Sequence, residues 1–190
     1  MSGMDEKALV RDCLAGDELA CKRLFDQYSP TMMSLCRRYA TEQMEAEDCL
    51  QEGFIRVFKY LHTWKDEGQL GGWIRQIMVN VCLKQLADLK KLKLSSGYDE
   101  VIEVAVDPGP MHSMDYERLS ELILTLPQGY RTVFNLSVIE GYSYTEIATM
   151  LDIKEVTCRS QLMKAKNFLA NKIKTMYPEM SIKYAERLVR

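Results

Sequence analysis

The most constraining feature of the sequence is the segment from Glu140 to Leu169, which predicts two short helices joined by a tight turn. In the first helix, apolar residues recur with the spacing i, i+3, i+4, i+7, so one side should be buried. Asp152 can adopt the left-handed conformation that such a turn needs. The second helix opens near Lys154, and its apolar side carries Cys158, Leu162, Ala165 and Leu169. The segment therefore predicts a helix-turn-helix.

The outer side of the second helix is polar and cationic, which suits contact with phosphates and base edges. Residues 154–190 carry a net charge of +6, whereas residues 93–153 carry −7 and residues 1–92 carry −1. A basic end on an acidic or neutral body is typical of a local contact with nucleic acid. An ordinary amphipathic hairpin with a solvated face is the alternative, and the charge distribution favours DNA binding.

The composition bounds the class of protein. At 190 residues and 47% hydrophobic content, the chain can form one domain or two small ones, and its abundant helix formers predict an all-α fold. No stretch approaches the roughly 20 apolar residues of a membrane span, and the N-terminus lacks the apolar core of a signal peptide, so we expect no membrane insertion and a cytoplasmic location. Six scattered cysteines without a C-x-x-C pair indicate a reducing compartment, with no disulfide and no zinc.

The first half of the chain reads as a run of helices. We expect a helix from about Asp17 with a bend or break near Pro30, and a second helix capped by Thr41. The second helix has a continuous apolar stripe from Ala46 to Leu61. Its other side carries a second stripe at helical spacing, formed by Asp48, Gln51, Glu52 and Ile55, with Arg56 beside it. An apolar Ile within this stripe hints at a protein-binding face, although spacing alone favours a solvated face with one stray Ile.

A glycine-rich loop between Trp64 and Trp73 lies next to a third helix with a basic end. Aromatic and cationic side chains together can form a stacking platform for unpaired bases, or the two tryptophans can be core residues at the loop edges. Residues 94–114 lose the helical period and gain Ser, Gly and Pro, which predicts a flexible linker. We therefore predict two helical domains, residues 1–93 and 115–190.

No catalytic constellation with supporting context occurs in the sequence. The two histidines, His62 and His112, have no cysteine or acidic partner at metal-ligand spacing. A P-loop, a G-x-S-x-G motif and an H-E-x-x-H motif are all absent from the sequence. We therefore expect a protein that is not an enzyme and needs no cofactor or metal.

Taken together, these segments resemble the extracytoplasmic-function (ECF) group of bacterial RNA polymerase sigma factors. GDELACKRLFDQY and AEDCLQEGFIRVF look like the start of sigma region 2, and WIRQIMVNVCLKQL lies where that family has its promoter-melting helix. The stretch from LPQGYRTVF to LMKAKNFL looks like sigma region 4. Two motif blocks in family order, separated by a linker, make the resemblance specific over nearly the whole chain.

The resemblance implies a role in transcription initiation, in which the protein directs core RNA polymerase to promoters and helps to open the −10 region. It implies that the outer stripe of Asp48, Gln51, Glu52, Ile55 and Arg56 binds the clamp helices of the polymerase β′ subunit, and that the second domain meets the β subunit flap. For −10 DNA it implies Trp64, Lys65, Trp73, Asn80 and Lys84. For −35 DNA it implies Thr157, Arg159, Ser160, Met163 and Lys164. An anti-sigma factor is a further partner that the resemblance suggests.

A different hypothesis is a stand-alone helix-turn-helix regulator whose first domain senses a ligand or dimerises. It accounts for residues 116–170 equally well, but it leaves the outer stripe and the aromatic-flanked loop unexplained. A third hypothesis, a helical scaffold without DNA contact, does not account for the net charge of +6 at residues 154–190.

Overall fold

The computed structural model describes residues 6–66, 68–96 and 116–176, and within these ranges every regular element is a helix. Contacts between Cα atoms divide the chain into two compact units, Met1–Tyr98 and Asp99–Arg190. The prediction of an all-α protein with two helical domains is therefore confirmed. None of the helices in these ranges is both long enough and apolar enough to cross a bilayer.

The first unit is a bundle of four helices. They are α1 (Glu6–Leu14), α2 (Glu18–Tyr39), α3 (Gln43–Tyr60) and α4 (Leu70–Ser96), with a 3₁₀ turn at Leu61–Thr63. Helices α2, α3 and α4 all pack on one another, and α1 packs on α2. Helix α4 extends to Ser96, so the helical period runs slightly beyond the domain boundary that we place after residue 93. That boundary, the linker at 94–114 and the start at 115 remain predictions.

The inner side of α3 forms the centre of this core, as its apolar spacing predicts. The stripe from Ala46 to Leu61 is buried along its length, apart from a half-buried Phe58. Three buried cysteines lie in this core, Cys36 on α2, Cys49 on α3 and Cys82 on α4. All six cysteines are free thiols.

The structure corrects two local predictions in this unit, since the break near Pro30 is absent and Thr41 is not the cap of α3. Helix α2 continues through Pro30 instead of breaking there, because residues on both sides of the proline are buried in the same core, including Leu24 and Leu35. Proline removes one backbone hydrogen bond from the helix, and the burial of these residues offsets that loss. Helix α3 begins at Gln43, one residue later than a Thr41 cap implies. The Glu45 carboxylate accepts hydrogen bonds from the backbone N–H groups of Thr41 and Glu42, at 2.7 and 3.4 Å.

Glu6 connects three helices of the first unit. One of its carboxylate oxygens accepts a hydrogen bond from the Tyr28 hydroxyl on α2 at 2.9 Å. The other accepts from the backbone N–H of Leu70, the first residue of α4, also at 2.9 Å. Lys7 forms an ion pair with Asp66 in the loop before α4. The first turn of α1 therefore holds the segment that leads into α4.

Gly53 offers a test of the packing between α3 and α4. A Cβ at this position would lie 2.1 Å from the sulfur of Met78, a side chain with no solvent exposure. We expect Gly53→Ala to lower the free energy of unfolding of the first unit by about 1–3 kcal/mol, because overpacking outweighs the gain in helix propensity. The measurement is urea unfolding followed by tryptophan fluorescence, which reports on this unit because both tryptophans belong to it.

Gly72 is the matched control for that substitution. It also lies in a helix, but a Cβ there would meet no atom within 4 Å. Gly72→Ala should leave stability unchanged or raise it by up to about 1 kcal/mol. Equal effects of the two substitutions would contradict close packing of α3 on α4 at Gly53.

The second unit contains α5 (Tyr116–Leu124), α6 (Gln128–Phe134), α7 (Tyr144–Leu151) and α8 (Glu155–Met176). The break predicted at Pro127 is present, since α5 ends before it and α6 begins directly after it. A π-helical turn at Asn135–Ile139 extends α6, a feature that the sequence pattern did not predict. Helices α5, α6 and α7 all pack against α8, whose apolar side supplies more of the described buried apolar residues of this unit than any other helix.

The predicted helix-turn-helix is confirmed as α7 and α8. Asp152 ends α7 in the left-handed conformation, with φ of 52° and ψ of 50°. All four apolar residues predicted for the inner side of α8 are buried. On α7 only Ile147 of the predicted stripe is fully buried, because this short helix covers only one side of α8.

Candidate protein and nucleic-acid interfaces

The outer stripe of α3 faces solvent. Asp48, Gln51 and Glu52 are exposed, and Ile55 exposes 62% of its surface. Arg56 is half-buried and donates from Nε to Glu52 Oε1 at 2.7 Å, one helical turn away. These five residues, which we call the α3 stripe, thus form a continuous surface that contributes little to the core of the unit.

A cleft of about 430 Å³ runs between the α3 stripe and α4. Its α3 wall contains Asp48, Glu52 and Arg56, and its α4 wall contains Val81, Lys84, Gln85, Asp88 and Leu89. Lys84, which the resemblance assigns to −10 DNA, therefore lines the same cleft as the Asp48 and Glu52 carboxylates of the stripe. The structure brings this lysine into the neighbourhood of the predicted protein-binding face.

The other residues assigned to −10 DNA lie on the loop and on α4. Lys65 and Asn80 are exposed, whereas Trp64 and Trp73 are half-buried. Trp73, Asn80 and Lys84 have helical spacings of seven and four residues, so they share one side of α4. The indole nitrogen of Trp64 is buried and makes no hydrogen bond within the part of the chain that the structure describes. Both tryptophans are therefore partly core residues and partly surface residues.

The residues assigned to −35 DNA lie on the first two turns of α8 and just beyond. Arg159 and Lys164 are exposed, Met163 exposes 59% of its surface, and Thr157 and Ser160 are half-buried. The Lys164 ammonium lies 5.9 Å from the centre of the Tyr130 ring on α6. This face of α8 presents hydrogen-bond donors and positive charge, which can bind phosphates and base edges.

Arg159 has partners on two sides. Its guanidinium lies 3.6 Å from Glu155 Oε2 and 5.2 Å from the centre of the Tyr144 ring. Glu155 in turn accepts a hydrogen bond at 2.8 Å from the Thr145 hydroxyl on α7. We did not identify Glu155, Tyr144 or Thr145 as site residues from the sequence, because their contacts cross between two helices. An acidic residue four positions before a basic one was the only available signal.

Ser143 and Glu146 form a capping box at the start of α7. The Ser143 backbone N–H and hydroxyl donate to Glu146 Oε2 at 2.8 and 2.7 Å. These hydrogen bonds stabilise the charged carboxylate and hold the pKa of Glu146 below its ordinary value of 4.5. The box therefore fixes the first turn of α7, the helix that precedes α8.

The lowered pKa of Glu146 predicts a pH dependence of this turn. Since the folded-state pKa is depressed, the stabilisation is fully present above 4.5 and is lost as the pH falls through the folded-state pKa. In Ser143→Ala we expect the pKa of Glu146 to return towards 4.5. Carboxyl NMR titration of the two proteins measures this shift. The same titration midpoint for Glu146 in both proteins would contradict the capping box.

The chain matches two models of known families. Residues 24–92 match sigma-70 region 2, and residues 116–169 match sigma-70 region 4. The two matches together cover about two thirds of the chain and coincide with the two helical units.

Individual relatives extend the similarity. The chain is 26% identical to the ECF RNA polymerase sigma-E factor of Haemophilus influenzae, over 91% of this chain and 97% of that protein. It is 25% identical to the ECF RNA polymerase sigma-E factor of Escherichia coli K12, over 91% of this chain and 96% of that protein. Among solved structures, the sigma factor RpoE of Bartonella quintana, bound to the anti-sigma factor NepR, shares the fold. Its TM-score is 0.56 at 20% identity, covering 80% of this chain and 96% of that one.

Two helical units, matching regions 2 and 4 in that order, define a sigma-70-type sigma factor. The chain belongs to the ECF group of that family, which confirms the resemblance seen in the sequence. It acts in transcription initiation as an ECF RNA polymerase sigma factor.

Proposed function

We propose that the two units divide the work of promoter recognition. The first binds core polymerase through the α3 stripe and holds the opened −10 strand with the loop and α4. The second reads the −35 element with the outer face of α8. Tethered units of this kind act on spaced sites at a high effective concentration, so each can bind weakly alone.

The α3 stripe is the observation that carries this proposal. The inner side of α3 already supplies the core of the unit, so the outer side has no structural reason to keep an apolar residue. Ile55 lies there with 62% of its surface exposed, beside three polar or acidic side chains. An apolar residue surrounded by charges is a common arrangement at a protein interface, where it fills a pocket in the partner. The clamp helices of β′ are the partner that we propose.

The −10 role rests on Trp64, Lys65, Trp73, Asn80 and Lys84. Both tryptophans are half-buried, and the exposed part of such a ring can stack on an unpaired base. The exposed Asn80 amide can pair with a base edge once the strand is unstacked. Because Lys84 also lines the cleft beside the α3 stripe, opened DNA and polymerase would meet at this helix.

We further propose that this protein acts in the cytoplasm, is not an enzyme, and is held inactive by an anti-sigma factor. The related sigma factor of Bartonella quintana was solved in complex with such a protein. The second unit is proposed to contact the β subunit flap as well as −35 DNA. All of these are binding roles, and they require no metal or cofactor.

The test is to mix the purified chain with bacterial core RNA polymerase and to select from a promoter library. We expect a stable complex that starts transcripts from a defined set of promoters, which gives the −35 and −10 sequences. Failure to bind core polymerase, with sequence-specific binding of duplex DNA by the chain alone, would contradict the proposal. It would support the helix-turn-helix regulator instead.

A further inference from the structure

Arg159 is held on the surface of the second unit by three residues from two helices. Its guanidinium lies near both the Tyr144 ring and the Glu155 carboxylate, and the Thr145 hydroxyl donates a hydrogen bond to Glu155. The two Glu155 oxygens have separate partners: Oε1 accepts from the Thr145 hydroxyl at 2.8 Å, and Oε2 lies 3.6 Å from the arginine. The carboxylate thus joins the first turn of α7 to the face of α8.

We propose that Glu155 is a positioning residue that sets the −35 specificity of Arg159. This inference rests on the proposed function of α8, because it concerns how that helix discriminates between sequences. Thr145 is the second member of the arrangement, since its hydroxyl fixes the carboxylate.

The physical argument begins with the freedom of an exposed arginine. An arginine side chain loses rotamer entropy when it is held in one geometry. Unrestrained, it can pair with any nearby phosphate, and such contacts carry no sequence information. A guanidinium already oriented by a carboxylate and an aromatic ring loses less freedom when it pairs with a base edge.

The negative charge of Glu155 should also increase the sequence specificity of Arg159. A carboxylate next to the arginine repels phosphates, so it weakens contacts that do not depend on sequence. Specificity is a difference between two affinities, and Glu155 should increase that difference by lowering the non-specific one. Because the ion pair is exposed, its own contribution is modest, and the expected change in discrimination is several-fold.

Two substitutions separate the effect of the negative charge of Glu155 from the effect of holding its carboxylate in place. Glu155→Gln removes the charge but keeps an oxygen that can accept the Thr145 hydrogen bond. Thr145→Val removes the hydroxyl that holds Glu155 and leaves every charge in place. Thr149→Val is the matched control, because the Thr149 hydroxyl bonds only to the Thr145 carbonyl of its own helix, at 3.0 Å.

The measured quantity is the ratio of transcript from a promoter with its selected −35 element to transcript from the same promoter with that element scrambled. Holoenzyme assembled from the full-length chain is used throughout. We expect this ratio to fall about two- to five-fold in Glu155→Gln and about two-fold in Thr145→Val, with no change in Thr149→Val. In Glu155→Gln, the fall should arise from increased output on the scrambled promoter.

Arg159→Ala distinguishes failure of this inference from failure of the proposed function. Loss of discrimination in Arg159→Ala, together with wild-type ratios in Glu155→Gln and Thr145→Val, would overturn the positioning role alone. An equal rise on both promoters in Glu155→Gln would also overturn it, because a general charge effect would then suffice. A wild-type ratio in Arg159→Ala would overturn −35 reading by this arginine, and the inference with it.

Discussion

Reversing the charge at Glu52 should abolish the binding of core RNA polymerase while the first unit stays folded. Glu52 is exposed at the middle of the α3 stripe, and its only described bond is the one-turn pair with Arg56. Glu52→Arg therefore removes little from the fold. It places two positive charges together on a surface that we propose meets β′, and like charges across an interface cost several kcal/mol. We expect affinity for core polymerase to fall by at least about 100-fold.

Asp26→Arg on α2 is the matched control for Glu52→Arg. Asp26 is also exposed, and it also forms an i, i+4 ion pair, with Lys22 at 2.6 Å. This variant should bind polymerase normally and unfold at the same temperature as Glu52→Arg. Normal holoenzyme assembly by a folded Glu52→Arg protein would contradict the assignment of the α3 stripe to polymerase.

Removing the Arg159 side chain should reduce transcription from promoters that depend on their −35 element by roughly 10- to 100-fold. A bidentate contact between arginine and a base edge contributes about 1–3 kcal/mol of discrimination. The side chain is exposed, and its described contacts are with the Glu155 carboxylate and the Tyr144 ring at the surface, so Arg159→Ala should leave the fold of the second unit intact. The measurement is multiple-round transcription on the selected promoter and on its scrambled −35 derivative.

Arg159→Lys and Lys172→Ala complete that experiment. Lysine keeps the positive charge but cannot form the two-pronged hydrogen bond, so most of the loss should persist in Arg159→Lys. Lys172 lies further along α8, outside the residues assigned to DNA, with its ammonium 5.7 Å from the Phe168 ring. Lys172→Ala should have little effect. A full return of transcription in Arg159→Lys would show that charge alone matters at this position.

Much of the fold could be predicted because long amphipathic helices can be recognised from the periodicity of their apolar residues. The two apolar stripes of α3 and α8 specified both which residues are buried and which side is left for partners. Asp152 was predictable for a local reason, since few residues accept the left-handed conformation that ends α7.

The errors arose where distant parts of the chain decide the outcome. Local sequence argues for a break at Pro30, but the core around Leu24 and Leu35 keeps α2 continuous. Leu19 is 67% exposed although its neighbour Ala20 is buried, so the packing of the unit decides which side of this end of α2 is covered. Such burial depends on neighbours that periodicity cannot identify.

The polar contacts of the candidate sites could also not be predicted from the sequence. Thr145 and Glu155 are ten residues apart on different helices, and their hydrogen bond exists only because the turn brings those two helix ends together. Glu6 and Leu70 are separated by 64 residues. From the sequence alone, a carboxylate is predicted to be solvated, because its hydrogen-bond donors become visible only in the folded structure.

The hydrogen bond between Glu6 and the Leu70 amide makes the docking of α1 in the first unit measurable. This amide is the first of α4, so it has no acceptor within its own helix and depends on the carboxylate of α1. Its rate of exchange with solvent deuterium should therefore follow the undocking of α1, whereas amides in the middle of α4 follow opening of the whole bundle. A single backbone position thus records how often the N-terminal helix releases the loop that carries Trp64.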